Sequence, residues 1–167
     1  MITETPAVDF PMIENIPGQL AERPQWVCWR YEERDGKKTK VPYTSGIYTP
    51  IQKASTTDLM TWGSFEQAYT TLDNEARHYD GIGFVFSSAD PFCGIDLDKC
   101  RDPESGELAP WAREMISRVP EGYIEVSPSG TGVHIIIRGS VRGGGVRKGP
   151  VEMYSRGRYF TITGVAL

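Results

Sequence analysis

The stretch FVFSSADPFCGIDLDKC, residues 84–100, joins two apolar runs and carries Asp96 and Asp98 at alternate positions of the second run. The apolar residues predict buried strands, in which side chains point alternately to the two faces of a sheet. Asp96 and Asp98 then share one face, while Ile95 and Leu97 point into the core. Because neighbouring carboxylates repel, this spacing favours a divalent cation between them, either Mg²⁺ or Mn²⁺. The alternative is a strand that ends at Ile95, with both aspartates in a solvated loop.

The elements around this stretch predict an α+β fold with a mostly antiparallel sheet and helices packed on one face. Upstream, two β-rich runs flank Asp35-Gly36, a dipeptide typical of a hairpin turn. Ser64, with Gln67 three residues later, predicts the N-cap of a helix, and APWAREMISRV has the apolar spacing of a second helix. Four more strands are predicted downstream, in GYIEVSP, VHIIIRG, VEMYS and RYFTITG.

A second motif, SPSGTGVHIII at residues 127–137, leads through two glycines to His134 at the start of an apolar strand. Glycines let a turn bring backbone amides close to an anion, and a histidine beside such a turn can donate to a triphosphate. The alternative is a strand-edge histidine that a neighbouring carbonyl satisfies.

A third motif, VEMY, places the acid Glu152 inside another apolar run. If this carboxylate reaches the same cations as the two aspartates, the three acids complete a two-metal site for in-line displacement. The alternative is a cross-strand ion pair with an arginine such as Arg158. Arg158 and Lys148 are themselves candidates for phosphate contact, against the alternative of solvated surface charges.

The bulk composition fits one soluble domain, because 167 residues suffice to bury a core. The formal net charge of −4 does not indicate a polyanion-binding surface over the whole molecule, but the basic residues cluster near the C-terminus. No signal peptide or membrane span is evident, so a cytoplasmic protein with no membrane partner is expected. The three cysteines favour free thiols over a disulfide framework or a metal pair.

In chain order, GIDLDK, SPSGTGVH and VEMY resemble the motifs of the archaeo-eukaryotic primase superfamily, specifically the primase-polymerase domains of phages and mobile elements. Flanking stretches, among them WVCWRYEERDGKKTKVPY and GRYFTITG, are similar to the same family. The resemblance extends from about Gln25 to the end of the chain.

The resemblance implies a fold in which an RNA-recognition-like, mostly antiparallel sheet carries the catalytic acids and packs against a smaller N-terminal α/β unit. The expected divisions are a flexible lead at residues 1–12 and a catalytic domain at 13–167. Within that domain, the N-terminal unit covers about 24–80 and the catalytic sheet about 81–167. The chain is expected to be cut from a longer protein that continues into a helical primase region and a helicase.

The resemblance also implies a role for each site residue. The two catalytic metal ions, Mg²⁺ or Mn²⁺, are assigned to Asp96, Asp98 and Glu152. Contacts to the incoming nucleotide are assigned to His134, Ser127, Ser129, Arg158 and Tyr159. Nucleic-acid contacts are expected at Lys40, Arg147 and Lys148, although stabilisation of a hairpin edge explains Lys40 equally well.

The predicted function is template-directed nucleotidyl transfer, with single-stranded DNA template, a primer and an NTP or dNTP as substrates. The alternative is a non-catalytic module that binds single-stranded nucleic acid by stacking bases on aromatic side chains. A replication-initiator nuclease is disfavoured, because such enzymes need paired histidines and only His134 lies in a predicted strand.

Overall fold

The computed structural model describes residues 11–167, so most of the flexible lead predicted at 1–12 lies outside the described residues. Within that lead, Met12 is described, and its backbone N–H donates to the carbonyl of Thr163 at 2.9 Å. The strands are β1 (Trp26–Arg34), β2 (Lys37–Tyr43), β3 (Gly81–Phe86), β4 (Phe92–Leu97), β5 (Tyr123–Val126), β6 (Val133–Arg138), β7 (Gly145–Lys148), β8 (Val151–Tyr154) and β9 (Arg158–Ile162). The α-helices are α1 (Gly18–Ala21), α2 (Phe65–Asp73) and α3 (Pro110–Ser117).

Two antiparallel sheets form the molecule, a four-stranded sheet ordered β2-β1-β3-β9 and a five-stranded sheet ordered β5-β6-β4-β8-β7. With three short helices, this confirms the α+β class and the mostly antiparallel pairing predicted from the sequence. The four-stranded sheet is the first sheet, and the five-stranded sheet is the second sheet.

The predicted hairpin forms the edge of the first sheet. Asp35 and Gly36 have φ values of 52° and 72°, the left-handed conformation that a two-residue turn requires. The turn sets Arg34 opposite Lys37, and from there the register runs to the pair Cys28 and Tyr43.

Helix α2 begins at the predicted N-cap. The Ser64 hydroxyl accepts from the backbone N–H of Gln67, and the Gln67 side chain accepts from the backbone N–H of Ser64. Phe65, Ala68 and Leu72 pack against the core, as their spacing predicts. Tyr69 is exposed, whereas Thr71 is buried and its hydroxyl donates to the carbonyl of Gln67.

The central strand of the second sheet, β4, presents different chemistry on its two faces. Ile95 and Leu97 are buried in an apolar cluster against which α3 packs. The opposite face, with Gly94, lies against the first sheet. A Cβ atom at Gly94 would lie 2.5 Å from the ring of Phe86, so only glycine allows the two sheets to approach this closely.

The expected division of the chain at about residue 80 differs from the observed pairing. Strands β3 and β9, both within the range assigned to the catalytic sheet, are paired with each other in the first sheet. An apolar run shows that a strand is buried but not which neighbour it pairs with, so chain order was a poor guide here.

One strand was not predicted. The segment GGGVRKG, between two of the predicted strands, contains β7, whose residues are all exposed. A strand at a sheet edge without a buried face has no hydrophobic alternation, so the period-two signal is missing.

Cys28, Cys93 and Cys100 are buried free thiols. No helix among residues 11–167 has the length and apolar composition needed to cross a membrane.

Candidate active site

A row of five polar side chains crosses the second sheet, with one residue from each strand. Consecutive members are direct partners in the strand register, so all five side chains project from the same face. In strand order the row is Glu125 on β5, His134 on β6, Asp96 on β4, Glu152 on β8 and Arg147 on β7. Residues distant in sequence are thus brought together at the spacing of neighbouring strands, about 5 Å.

Asp98 lies beside this row, one residue beyond the end of β4. Its backbone N–H donates to the carbonyl of Pro150 at 2.8 Å, which continues the pairing toward β8. Asp98 is exposed, whereas the side chain of Asp96 is only 25% exposed. The strand therefore continues past Ile95 and includes Asp96. The alternative in which both aspartates lie in a loop is wrong for Asp96, and only Asp98 lies beyond the strand.

The electrostatics of Asp96 reflect this position. Burial raises the pKa of its carboxyl, and the neighbouring carboxylates of Asp98 and Glu152 raise it further, while His134 and Lys40 oppose the shift. The ionised form of Asp96 is therefore disfavoured mainly by burial and further by its acidic neighbours, and a bound cation would offset both.

Lys40 belongs to the first sheet but lies within the field of these acids. Burial lowers the pKa of its ammonium group, and the carboxylates of Asp96 and Asp98 oppose that shift. The ammonium group of Lys40 is therefore within electrostatic range of the two aspartates. The residue also belongs to β2, the edge strand of the hairpin, so both interpretations of Lys40 stay predictions.

Glu152 has two partners on the open side of the row. One of its oxygens lies 3.1 Å from a guanidinium nitrogen of Arg147, and the other accepts from the hydroxyl of Tyr154 at 2.8 Å. Glu152 thus has a cross-strand arginine partner, as the alternative predicts, but the arginine is Arg147 and not Arg158. Arg158 instead donates to the Tyr154 hydroxyl at 3.1 Å and lies over the Tyr154 ring at 4.7 Å.

His134 is 5% exposed and is held from both sides. Its Nδ1 lies 3.1 Å from a carboxylate oxygen of Glu125, and its Nε2 lies 3.8 Å from an oxygen of Asp96. The ring also packs against Phe160, with centroids 5.1 Å apart. A carboxylate, and not the backbone carbonyl considered as an alternative, therefore satisfies this histidine and fixes which nitrogen faces the acids.

Glu125 was not identified from the sequence. It is completely buried and accepts hydrogen bonds from the Tyr123 hydroxyl at 2.7 Å and from the backbone N–H groups of Thr163 and Gly164. These donors, with His134, compensate a carboxylate that would otherwise be costly to bury. A signal was present, because Glu125 interrupts the apolar run YIEV in the same way that Asp96 interrupts GIDL.

The serines of the second motif form a tight turn beside His134. Ser127 is buried, and its hydroxyl accepts from the backbone N–H of Gly132 at 3.1 Å and pairs with the Ser129 hydroxyl at 3.0 Å. Ser129 is exposed and also pairs with the Thr131 hydroxyl at 2.9 Å. Ser127 therefore shapes the turn, while Ser129 presents its hydroxyl to solvent.

The predicted site residues Tyr159 and Lys148 lie on strand faces away from the row. Tyr159 alternates with Phe160 along β9 and donates its hydroxyl to the carbonyl of Lys40 at 2.9 Å, so it fastens the strand that carries Lys40. Lys148 follows Arg147 on β7 and is exposed on the face opposite the acids, where its partner Val151 packs with α3. Because side chains alternate along a strand, Tyr159 points to the face opposite Phe160, and Lys148 points to the face opposite Arg147.

The carboxylates are adjacent but do not form a closed ligand cage. Within residues 11–167, no group of three or more His, Cys, Asp or Glu side chains is arranged closely enough to hold a metal ion. The oxygens of Glu152 are directed at Arg147 and Tyr154, so a rotation of this side chain is needed before it faces the same point as Asp96 and Asp98.

Comparison with known proteins adds one relationship. No family model matches the chain. A DNA primase-polymerase from Nitratiruptor phage NrS-1 is 37% identical over 161 residues, which cover 92% of this chain and 21% of the phage protein. The chain thus spans about one fifth of the length of the curated relative that it matches.

Proposed function

Since this chain is homologous to a segment of a phage DNA primase-polymerase, which confirms the resemblance noted in its motifs, we propose that it is a primase-polymerase catalytic domain. Its proposed reaction is template-directed transfer of a nucleotide to a primer 3′-hydroxyl. The single observation that carries the proposal is the direct pairing of Asp96 with Glu152 in the second sheet, beside Asp98. Without that pairing, the family motifs would have no common site.

The residues fit divalent cations that prefer oxygen ligands, such as Mg²⁺ or Mn²⁺. Burial raises the pKa of Asp96, and the neighbouring carboxylates raise it further. Among the described residues, no cationic side chain forms an ion pair closer than 3.8 Å to Asp96. Asp98 is exposed and open to a ligand. The proposed ligands are Asp96, Asp98 and Glu152, and the ions when bound would lower the pKa of the attacking hydroxyl and neutralise charge on the phosphate.

The protein's own contribution is orientation and charge. The Glu125 carboxylate holds the ring of His134, so that Nε2 faces the acids and is placed to contact a phosphate oxygen. Ser129 and the backbone of its turn lie next to that position and are proposed as further phosphate contacts. Lys40 approaches from the first sheet and adds a positive charge at the same acids.

The remaining predicted contacts are assigned by position. Arg158 is exposed at the start of β9, over Tyr154, where its guanidinium is available to a phosphate. Arg147 is proposed to contact nucleic acid when a ligand releases it from Glu152. The nucleotide contact of Tyr159 and the nucleic-acid contact of Lys148 stay predictions from the sequence.

We also propose that the second sheet has the strand order of an RNA-recognition-like fold. The order β4-α3-β5-β6, followed by β8 on the far side of β4, corresponds to a β-α-β-β-α-β sheet that lacks its second helix. This order supports an RNA-recognition-like second sheet. The first sheet packs on the face that carries the acids, so the proposed site lies in the cleft between the two sheets.

The test is extension of a labelled primer on a single-stranded template with Mg²⁺ or Mn²⁺ and either NTPs or dNTPs. Wild type should add nucleotides, and Asp96→Asn should reduce the rate at least about 1,000-fold because a proposed metal ligand is lost. Asp73→Asn, an exposed aspartate at the end of α2, is the matched control and should behave as wild type. Binding of single strands without any extension would support the non-catalytic alternative and contradict the proposal.

A further inference from the structure

The proposed nucleotide site includes a tight turn at residues 127–132, which we call the phosphate turn. It carries Ser129, a proposed phosphate contact, and it lies against the end of β4. A Cβ atom at Gly132 would lie 2.9 Å from the carbonyl oxygen of Leu97, so glycine permits this close approach. Because Leu97 directly precedes Asp98, the phosphate turn lies beside a proposed metal ligand.

The chain that follows Asp98 is fastened to the phosphate turn. Lys99 has φ 49°, a left-handed conformation that changes the direction of the chain directly after Asp98. The backbone N–H groups of Cys100 and Arg101 then both donate to the carbonyl of Thr131, each at 2.9 Å. Two backbone hydrogen bonds thus set the position of Thr131 relative to Asp98.

Arg101 adds a third contact with the phosphate turn through its side chain. Its Nη1 donates to the carbonyl of Gly130 at 2.9 Å, and Gly130 has φ 75°. The phosphate turn itself contains no charged residue. Among residues 11–167, Arg101 belongs to no ion pair, so its positive charge lies beside the phosphate turn without a paired acid.

The stability of the fold does not explain why an arginine occupies this position. A Cβ atom at Gly106 would lie 3.1 Å from Nη2 of Arg101, so the guanidinium is packed closely on that side. Its Nε is buried and has no hydrogen-bond acceptor among the described residues. A buried donor without an acceptor costs free energy, so an apolar side chain of similar length should fold as well. This favours a function for the guanidinium beyond support of the fold.

The alternative is that Arg101 supports the neighbouring hairpin. Residues 101–108, which we call the flap, are closed by a backbone bridge between their first and last residues. The flap has its own cap, because the carboxylate of Asp102 accepts from the backbone N–H groups of Ser105 at 2.8 Å and Glu104 at 2.9 Å. These hydrogen bonds lower the pKa of Asp102, and the charge of Arg101 adds to that shift. The flap is therefore held together without the contact between Arg101 and the phosphate turn.

We propose that Arg101 is a positioning residue, whose guanidinium holds the phosphate turn through the carbonyl of Gly130 in the conformation that receives the phosphates of the incoming nucleotide. This inference rests on the proposed function, because that function assigns the phosphates to the turn. A turn that is already ordered loses less conformational freedom when a ligand binds. Arg101 thus acts through the phosphate turn and is not assigned a contact with the nucleotide.

Three substitutions separate this function from support of the flap. Arg101→Met keeps the length of the side chain but removes its charge and its donors, and Arg101→Lys keeps a positive charge and a donor. Asp102→Ala removes the cap of the flap and leaves the contact with Gly130 in place. Arg118→Met, which removes an exposed arginine at the end of α3, is the control.

The readouts are the Kd values for dATP and ATP with Mn²⁺, measured by calorimetry, the separate KM values for nucleotide and primer–template, and amide hydrogen exchange in the phosphate turn. Arg101→Met should raise the Kd and the KM for the nucleotide at least about fivefold, and Arg101→Lys should recover part of that loss. Exchange at Thr131 and Gly132 should be faster in Arg101→Met than in wild type. The KM for primer–template should stay within about twofold of wild type, as should all values of Asp102→Ala and Arg118→Met.

Other results overturn the inference. An unchanged Kd in Arg101→Met would show that the phosphate turn does not need the guanidinium, and an equal rise in Asp102→Ala would assign the effect to the flap. A similar rise in both KM values, with a lower midpoint of urea denaturation, would mean that Arg101 supports the whole fold. If wild type shows no extension, the proposed function fails, and the Kd values still decide the function of Arg101. If wild type binds neither dATP nor ATP, both proposals fail.

Discussion

The two ends of the polar row use similar side chains in opposite surroundings. At the β5–β6 end, Glu125 is completely buried and its acceptors are occupied by His134, Tyr123 and backbone N–H groups. At the β8–β7 end, Glu152 is 15% exposed and pairs with an arginine that is 66% exposed. Each end therefore contains a carboxylate beside a nitrogen-bearing side chain, His134 at one end and Arg147 at the other. Only the end with Arg147 is open to solvent.

The difference separates a positioning function from a binding function. A buried and fully bonded carboxylate cannot move without loss of hydrogen bonds, so it suits the fixing of His134. An exposed ion pair contributes little to stability and can be opened by a ligand at small cost. Substitutions at the closed end should therefore change the free energy of unfolding, and those at the open end should change ligand binding.

The largest effect on stability is expected for Glu125→Gln. The amide keeps the shape of the side chain, but its NH₂ group meets the donors of Tyr123 and Gly164 and leaves them unpaired. The expected loss is about 3 kcal/mol in the free energy of unfolding, measured by urea denaturation.

Glu121→Gln is the control for that substitution, because Glu121 precedes the same strand and is exposed. It should change the free energy of unfolding by less than about 0.5 kcal/mol. If Glu125→Gln changes the free energy of unfolding as little as Glu121→Gln does, Glu125 does not hold the β5–β6 end of the row rigidly.

Asp96→Asn should have an intermediate effect of opposite sign. The fold raises the pKa of this carboxyl, so its ionised form is less stable in the folded protein than in the unfolded chain. Asparagine removes that charge and should raise the free energy of unfolding at neutral pH by about 1 kcal/mol, while activity is lost. Urea denaturation measures this change. A lower free energy of unfolding in Asp96→Asn would show that the ionised carboxylate stabilises the fold.

The smallest effect is expected for Arg147→Gln at the open end. The pair with Glu152 is exposed on the arginine side, so its loss should change the free energy of unfolding by about 0.5 kcal/mol or less. Thermal unfolding measures this, with Arg113→Gln, from the exposed pair with Glu107, for comparison. A loss above about 2 kcal/mol would mean that both ends of the row are structural.

Much of the fold could be predicted from local patterns. The hairpin at Asp35, the cap at Ser64 and the alternation around Asp96 each have a local physical cause that is visible in a few residues. The acids interrupting apolar runs indicated the site, since a buried carboxylate needs compensation wherever it lies.

The remainder depends on pairing, which local patterns do not encode. Nothing in the residues of β3 or β9 states that they pair with each other, and the exposed strand β7 has no alternation to detect. Glu125 became visible as a partner of His134 only through the register of β5 and β6. Arg147, and not Arg158, became the partner of Glu152 for the same reason.

The proposed site requires three carboxylates to share divalent ions, and Mn²⁺ binding measured by isothermal titration calorimetry tests this directly. Wild type and Asp73→Asn should bind Mn²⁺ alike, and Asp98→Asn and Glu152→Gln should each weaken binding at least about tenfold, because each removes a proposed ligand. Mn²⁺ affinity that is unchanged in Glu152→Gln would show that this side chain remains with Arg147 and does not join the aspartates, which contradicts the proposed site.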